Sequence, residues 1–259
     1  MRLTPKQYRK LLVGLTNVVE TQMCANKWND INYEHVPSKA TQIYTNAFKR
    51  HSPQKYETYL QSLVKGTAKT NAGAVYPYEI IQQINEPRLM EAQWKAQPNY
   101  IEDGMSFLPV IDVSGSMMCP VSNTTAMNIA MSLGIYLSER NKSVFKDMFV
   151  TFSQVPEFHH LQGNLTNRLN QLRIAKWGMN TDIDAVFTKL LEIAMKNKVT
   201  QEEMPTHIII VSDMQFDYCC KNTTNQKNIF SKYKDCGYKP PVLVFWNVVD
   251  HGNTPVMIS

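Results

Sequence analysis

The sequence predicts an α/β domain, with a mostly parallel sheet and helices on both faces, preceded by an α-helical domain. Three observations predict it. From residue 107 onward, short apolar runs alternate with stretches of helical periodicity, which implies parallel strands joined by right-handed crossovers. Residues 1–97 instead carry apolar side chains at helical spacing, with irregular breaks. Between the two patterns, Pro98, Asp103 and Gly104 punctuate a boundary, so domains are expected at 1–104 and 105–259.

In the first domain, Thr4 and Pro5 open a helix bearing Tyr8, Leu11, Leu12, Leu15 and Val18-Val19. A second helix follows Pro37-Ser38 and holds Thr41, Ala47 and Phe48. Pro53 starts a third through Tyr56, Tyr59, Leu60 and Leu63. Tyr76-Pro77 begins a short fourth through Ile80, Ile81 and Ile84, and a last helix covers Arg88 to Lys95. In the second domain a strand at 107–111 leads to a helix at 123–139, with Ala126, Ile129, Ala130, Leu133 and Leu137 on one face. Residues 147–152 and 157–161 read as a hairpin around Gln154-Val155-Pro156. Helices at 164–176 and 182–196, a strand at 206–212, a helix at 223–235 and a strand at 242–248 complete the pattern.

With 43% apolar and 10% aromatic residues, the chain has the material for a packed core. No apolar stretch approaches the roughly 18 residues that span a bilayer, and Met1 to Lys6 lacks the apolar segment of a secretory signal. Five scattered cysteines favour reduced thiols and a cytoplasmic setting over a disulfide framework. Residues 1–106 hold 13 Lys/Arg against 9 Asp/Glu, and residues 107–259 hold 14 against 13. The net charge of +5 therefore lies mostly in the helical part, where it permits nucleic-acid contact without requiring it.

The richest segment for chemistry is Asp112-Val113-Ser114-Gly115-Ser116, directly after the apolar run Phe107 to Ile111. It places one carboxylate and two hydroxyls on a single turn at a strand end, where they can converge on a hard cation such as Mg²⁺. Two later segments can complete the site. Asn180-Thr181-Asp182 precedes a predicted helix, and Ser212-Asp213 follows the run Ile208 to Val211. Ligand sites in open parallel sheets lie at the carboxyl ends of strands. Asp112, Ser114, Ser116, Thr181 and Asp213 thus form an all-oxygen constellation.

This order resembles the von Willebrand factor A domain and its metal-ion-dependent adhesion site: D-x-S-x-S, a Thr about 65 residues later, and an Asp after an apolar strand about 30 further on. Nearly the whole chain is similar to a family of eukaryotic and large-DNA-virus proteins joining a helical segment to an A domain. The matching pieces are Cys24-Ala25-Asn26-Lys27-Trp28, Ile31-Asn32-Tyr33, Val36-Pro37-Ser38, Lys65-Gly66 and Tyr76-Pro77. Its signatures stand here as Asp112–Met117, Met179–Asp182 and Ser212–Phe216. More distantly, the architecture resembles the Ro (TROVE) ribonucleoprotein, where helical repeats bind RNA beside an A domain.

The resemblance implies a Rossmann-like A domain that binds Mg²⁺ or Mn²⁺. Ser114 and Ser116 would be direct ligands, and Thr181 a direct or water-mediated one. Asp112 and Asp213 would accept hydrogen bonds from bound waters, and an Asp or Glu of a partner protein would complete the sphere. Asp182 is expected to cap the following helix. A domains usually continue with a sixth strand and closing helix after Val242–Val248, whereas this chain ends at Ser259. Either the protein is shortened, or a partner or a second protomer covers the sheet edge.

Lys49, Arg50, Lys55 and Lys65 lie among Tyr44, Phe48, Tyr56 and Tyr59. They read as an RNA-contacting face or as an ordinary packing layer with a solvated basic side, and the second reading is preferred. Trp28, Tyr33 and Trp94 are expected in packing. His159-His160 fits an edge strand with one exposed ring. Cys219-Cys220 with Cys236 offers no zinc spacing. Ser114 has no G-x-S-x-G elbow and Cys119 no evident base, so no enzyme is expected. The expected function is a metal-dependent protein-interaction module. The alternatives are a Ro-like RNA-binding component and a structural or assembly protein of the host cytoplasm or a virion. No membrane partner is expected, and a homo-oligomer through the sheet edge is one of the arrangements that would cover that edge.

Overall fold

The structure is a computed structural model that describes residues 3–16, 18–112, 114–151, 156–175, 183–213 and 230–249. The chain forms two compact units, Met1–Pro98 and Asn99–Ser259. Residues 99–104, expected with the helices, go with the second unit, where the Tyr100 amide donates to the Tyr136 hydroxyl at 2.8 Å.

The first unit contains α1 (Pro5–Leu15), α2 (Val19–Cys24), α3 (Ser38–His51), α4 (Pro53–Lys65), α5 (Pro77–Ile81) and α6 (Pro87–Lys95). Proline opens α1, α4, α5 and α6, where its missing N–H costs nothing. Gly66 ends α4 with φ 72°, a left-handed cap that suits glycine. The core centres on Tyr33, whose ring lies 5.0 Å from Phe48, 5.0 Å from Tyr56 and 5.3 Å from Tyr59. Helix α1 departs from expectation. It is amphipathic, yet none of its residues is buried, and the chain breaks to extended backbone at Thr16, so Val18 caps and Val19 begins α2 instead.

The second unit contains β1 (Phe107–Ile111), β2 (Pro120–Val121), β3 (Thr124–Thr125), α7 (Ala126–Ser138), β4 (Met148–Thr151), β5 (Phe158–His160), α8 (Leu165–Ile174), α9 (Ile183–Asn197), β6 (His207–Ser212) and β7 (Val242–Asn247). Residues 230–235 are helical, while 223–229 of that expected helix lie outside the described residues. Among the described residues the main sheet runs β5-β4-β1-β6-β7, with every pair parallel except β4–β5.

Alternate residues of β1 and β6 serve opposite layers, as the pleat requires. Leu108, Val110, Ile208 and Ile210 enter one core with Leu190 of α9 and Tyr233. On the other face, α7 packs on β1, β4 and β6. Covering both faces explains why these strands are continuously apolar. The fold is thus a mixed α/β, Rossmann-like unit with a mostly parallel sheet, preceded by a helical unit. Residues 250–259, where the expected remnant of a last strand falls, lie outside the described residues, and β7 is the last strand described on its side.

Candidate functional site

The chain leaves β1 for β4 on one side and later adds β6 on the other, so the carboxyl ends of β1 and β6 flank a topological switch point. Asp112 sits there. Its amide extends the ladder by donating to the Val211 carbonyl at 3.0 Å. Its side chain is buried, at 5% exposure. Oδ1 accepts the Ser114 amide at 2.8 Å, an Asx turn that reverses the chain. Oδ2 accepts the Ser212 hydroxyl at 2.6 Å.

One helical turn follows at Gly115–Met118. The Met117 amide donates to the Ser114 carbonyl at 3.0 Å, and the Met117 side chain is fully buried beneath the turn. The Cys119 amide closes the turn on the Ser116 carbonyl at 3.0 Å. This pinning brings Ser114 Oγ and Ser116 Oγ within 2.9 Å of each other, both on half-buried residues. A short β2–β3 hairpin then returns the chain to α7, where Thr125 caps the helix by accepting the Asn128 amide.

Asp213 directly follows β6 and is 2% exposed. Because Ile111 pairs with Val211, Asp112 and Asp213 occupy the ends of adjacent parallel strands. Thr181 and Asp182 lie outside the described residues. The structure therefore brings Asp112, Ser114 and Ser116 together and sets Asp213 on the neighbouring strand end. Asp184 lies in the first turn of α9 and is half-buried.

The donor set suits a small hard cation. Asp112, buried between two neutral donors, is a carboxylate that a nearby positive charge would stabilise. An octahedral Mg²⁺ with oxygens at about 2.0–2.1 Å places neighbouring ligands roughly 2.9 Å apart, the spacing of the two serine hydroxyls. The same spacing is also an ordinary hydroxyl hydrogen bond. Among the described residues no three His, Cys, Asp or Glu side chains cluster as a metal site, so hydroxyls would have to contribute. The sequence does not distinguish Ser212 as a site residue. Its one signal is its place beside Asp213 at the end of an apolar run.

The basic residues of the helical unit divide into two pairs. Lys49 Nζ lies 2.8 Å from buried Glu86, and Lys55 Nζ donates to the carbonyls of Asn29 and Ile31 at 2.6 and 2.7 Å. Arg50 and Lys65 are exposed. The interleaved Phe48, Tyr56 and Tyr59 are buried, as are Tyr33 and Trp94, while Trp28 stacks on His51 at 4.3 Å. In the second unit His159 stacks on Phe149 in the edge strand β5, and His160 is exposed. Burial holds the His207 imidazole below its usual pKa. Among the described residues no helix is long and apolar enough to cross a membrane.

Residues 106–259 match the family model described as "Domain of unknown function (DUF7788)", and residues 3–106 match "Domain of unknown function (DUF2828)". The chain is similar to "Uncharacterized protein L728" of Acanthamoeba polyphaga mimivirus, at 32% identity over 276 residues. That alignment covers 96% of the chain and 47% of the relative, so the chain spans about half the length of the curated protein it matches. Among solved structures it resembles the RO (RSR) protein of Deinococcus radiodurans, with 13% identity and a TM-score of 0.45. That superposition covers 98% of this chain and 59% of the other.

Proposed function

The chain belongs to the DUF7788 family, and we propose that it is a non-enzymatic, divalent-metal-dependent protein-interaction module of the A-domain type. The observation that carries this reading is the pair of serine hydroxyls 2.9 Å apart, at a switch point that also buries two carboxylates. In this reading Ser114 and Ser116 are hydroxyl ligands of Mg²⁺ or Mn²⁺, and Thr181 is the third ligand residue on the sequence pattern. Asp112 and Asp213 supply charge and hold ion-bound water.

The bound ion supplies a positive centre with an open position for the carboxylate of a partner's Asp or Glu. The chain's own residues do the rest. The Asx turn and the buried Met117 hold both hydroxyls in one place, and the neutral donors on Asp112 leave its negative charge intact. The helical unit acts as a scaffold or a second contact surface.

The test is affinity capture by the full chain in Mg²⁺ and in EDTA, with Ser114→Ala alongside. The reading expects proteins retained in Mg²⁺ and released by EDTA, and none retained by Ser114→Ala. Capture that survives both treatments contradicts it. RNA captured regardless of EDTA, and lost when Arg50 and Lys65 are neutralised, would favour the Ro-like alternative.

A further inference from the structure

Asp112 is held by two donors that reach it from different parts of the chain. The Ser114 amide, from its own turn, binds Oδ1 at 2.8 Å. The Ser212 hydroxyl, from the end of β6, binds Oδ2 at 2.6 Å. Ser212 is fully buried and is tied into the sheet on its other side: it pairs with Asn247, and its carbonyl accepts the Val248 amide at 3.0 Å. The hydroxyl therefore projects from a fixed backbone onto a carboxylate that could otherwise rotate.

The chemistry of the two donors is selective. Both are neutral, so they orient the carboxylate without cancelling its charge. A cationic donor beside Asp112 would instead offset its charge and oppose a bound cation. Each carboxylate oxygen also keeps a lone pair beyond the one already used. A capped, charged carboxylate with spare acceptor capacity is suited to holding water beside an ion, whereas a loose one can swing in and bind the ion directly.

We propose that Ser212 is a positioning residue of the metal site: its hydroxyl locks Asp112 in place and thereby sets the affinity of the Ser114–Ser116 pair for a small divalent cation. This rests on the metal-site reading above. Partners that orient a metal's direct ligands typically change affinity by about 10- to 100-fold when removed, and Ser212, which acts one bond further out through Asp112, is expected to reach the lower end, about 10-fold.

The experiment is calorimetric titration of the full chain with Mn²⁺, for wild type, Ser212→Ala and Ser212→Thr, with melting temperatures of the metal-free proteins. Ser212→Ala is expected to bind Mn²⁺ about 10-fold more weakly, and Ser212→Thr, which retains a hydroxyl, to recover affinity. A purely structural role would lower the metal-free melting temperature of Ser212→Ala and leave its Mn²⁺ affinity unchanged, which overturns the proposal. Should Ser212→Ala not fold, Ser212→Cys keeps the side-chain shape, slightly enlarged, with a weaker donor: reduced affinity upholds the proposal and wild-type affinity overturns it. A wild-type chain that takes up no Mn²⁺ removes the metal-site reading and this inference together.

Discussion

A Cβ placed on Gly134 of α7 would lie 2.1 Å from Ile111 Cδ1 and 2.9 Å from its Cγ1. The helix therefore approaches β1 more closely than any side chain larger than glycine's would allow, one residue before Asp112. The close approach and the site are parts of one piece of packing, since displacing Ile111 moves the strand end that carries the carboxylate.

Gly134→Ala should destabilise the chain by about 1–3 kcal/mol through overpacking, and Gly134→Val by more. Urea denaturation measures this. An unchanged midpoint for Gly134→Ala would show that the Ile111 side chain moves aside freely and that the contact is not tight.

Glu86 anchors the ionic layer of the helical unit. Burial pushes its carboxyl pKa up, but Lys49 at 2.8 Å and Arg88 at 2.9 Å more than offset this and hold it below the usual range. Its contribution is thus present above the unfolded carboxylate pKa and is lost as pH falls through the lower folded value. Glu86→Gln should cost about 2–3 kcal/mol near neutral pH, less than a wholly buried pair because both cations are partly exposed. The gap between wild type and variant should narrow in acid. A gap that stays constant to pH 3 would contradict the ionic account.

The four basic residues named as RNA contacts should separate cleanly. Lys55→Ala removes the donor shared by the Asn29 and Ile31 carbonyls and should cost about 1–2 kcal/mol. Arg50→Ala and Lys65→Ala should leave stability within about 0.5 kcal/mol of wild type. Thermal melts check both expectations. They also identify Arg50 and Lys65 as the positions where lost RNA binding could be read without a folding defect.

At the opposite end of β6 from the site, His207 stacks on Phe107 at 4.9 Å, and burial holds its imidazole pKa below the usual 6.5. The folded state favours the neutral ring. Stability from this position is therefore present above pH 6.5 and is lost as pH falls through the lower folded pKa. His207→Phe should flatten the stability profile across that interval. An equally steep decline in the variant would assign the acid sensitivity to other groups.

Strands β1 and β6 were legible from sequence because both faces of each are buried, which leaves uninterrupted apolar runs ending in Asp112 and Ser212-Asp213. Periodicity places the start of α7 three residues too early because Thr124 and Thr125 pair with Val121 and Pro120 before the cap forms. Periodicity marked the apolar face of α1 but carries no information on what that face meets, and no residue of α1 is buried. The turn chemistry of Asp112, Ser114 and Ser116 is local and could be read directly. The Ser212–Asp112 bond spans 100 residues and depends on parallel register, which no local pattern records.

Mn²⁺ electron paramagnetic resonance reads a divalent-cation site on Ser114 and Ser116 without needing a partner protein. Titrating the full chain and counting free ion should show one Mn²⁺ bound per chain, displaced by excess Mg²⁺. Binding should be lost in the Ser114→Ala/Ser116→Ala double variant while its circular dichroism matches wild type. No bound Mn²⁺ in the wild-type chain, or undiminished binding in the double variant, would contradict the account.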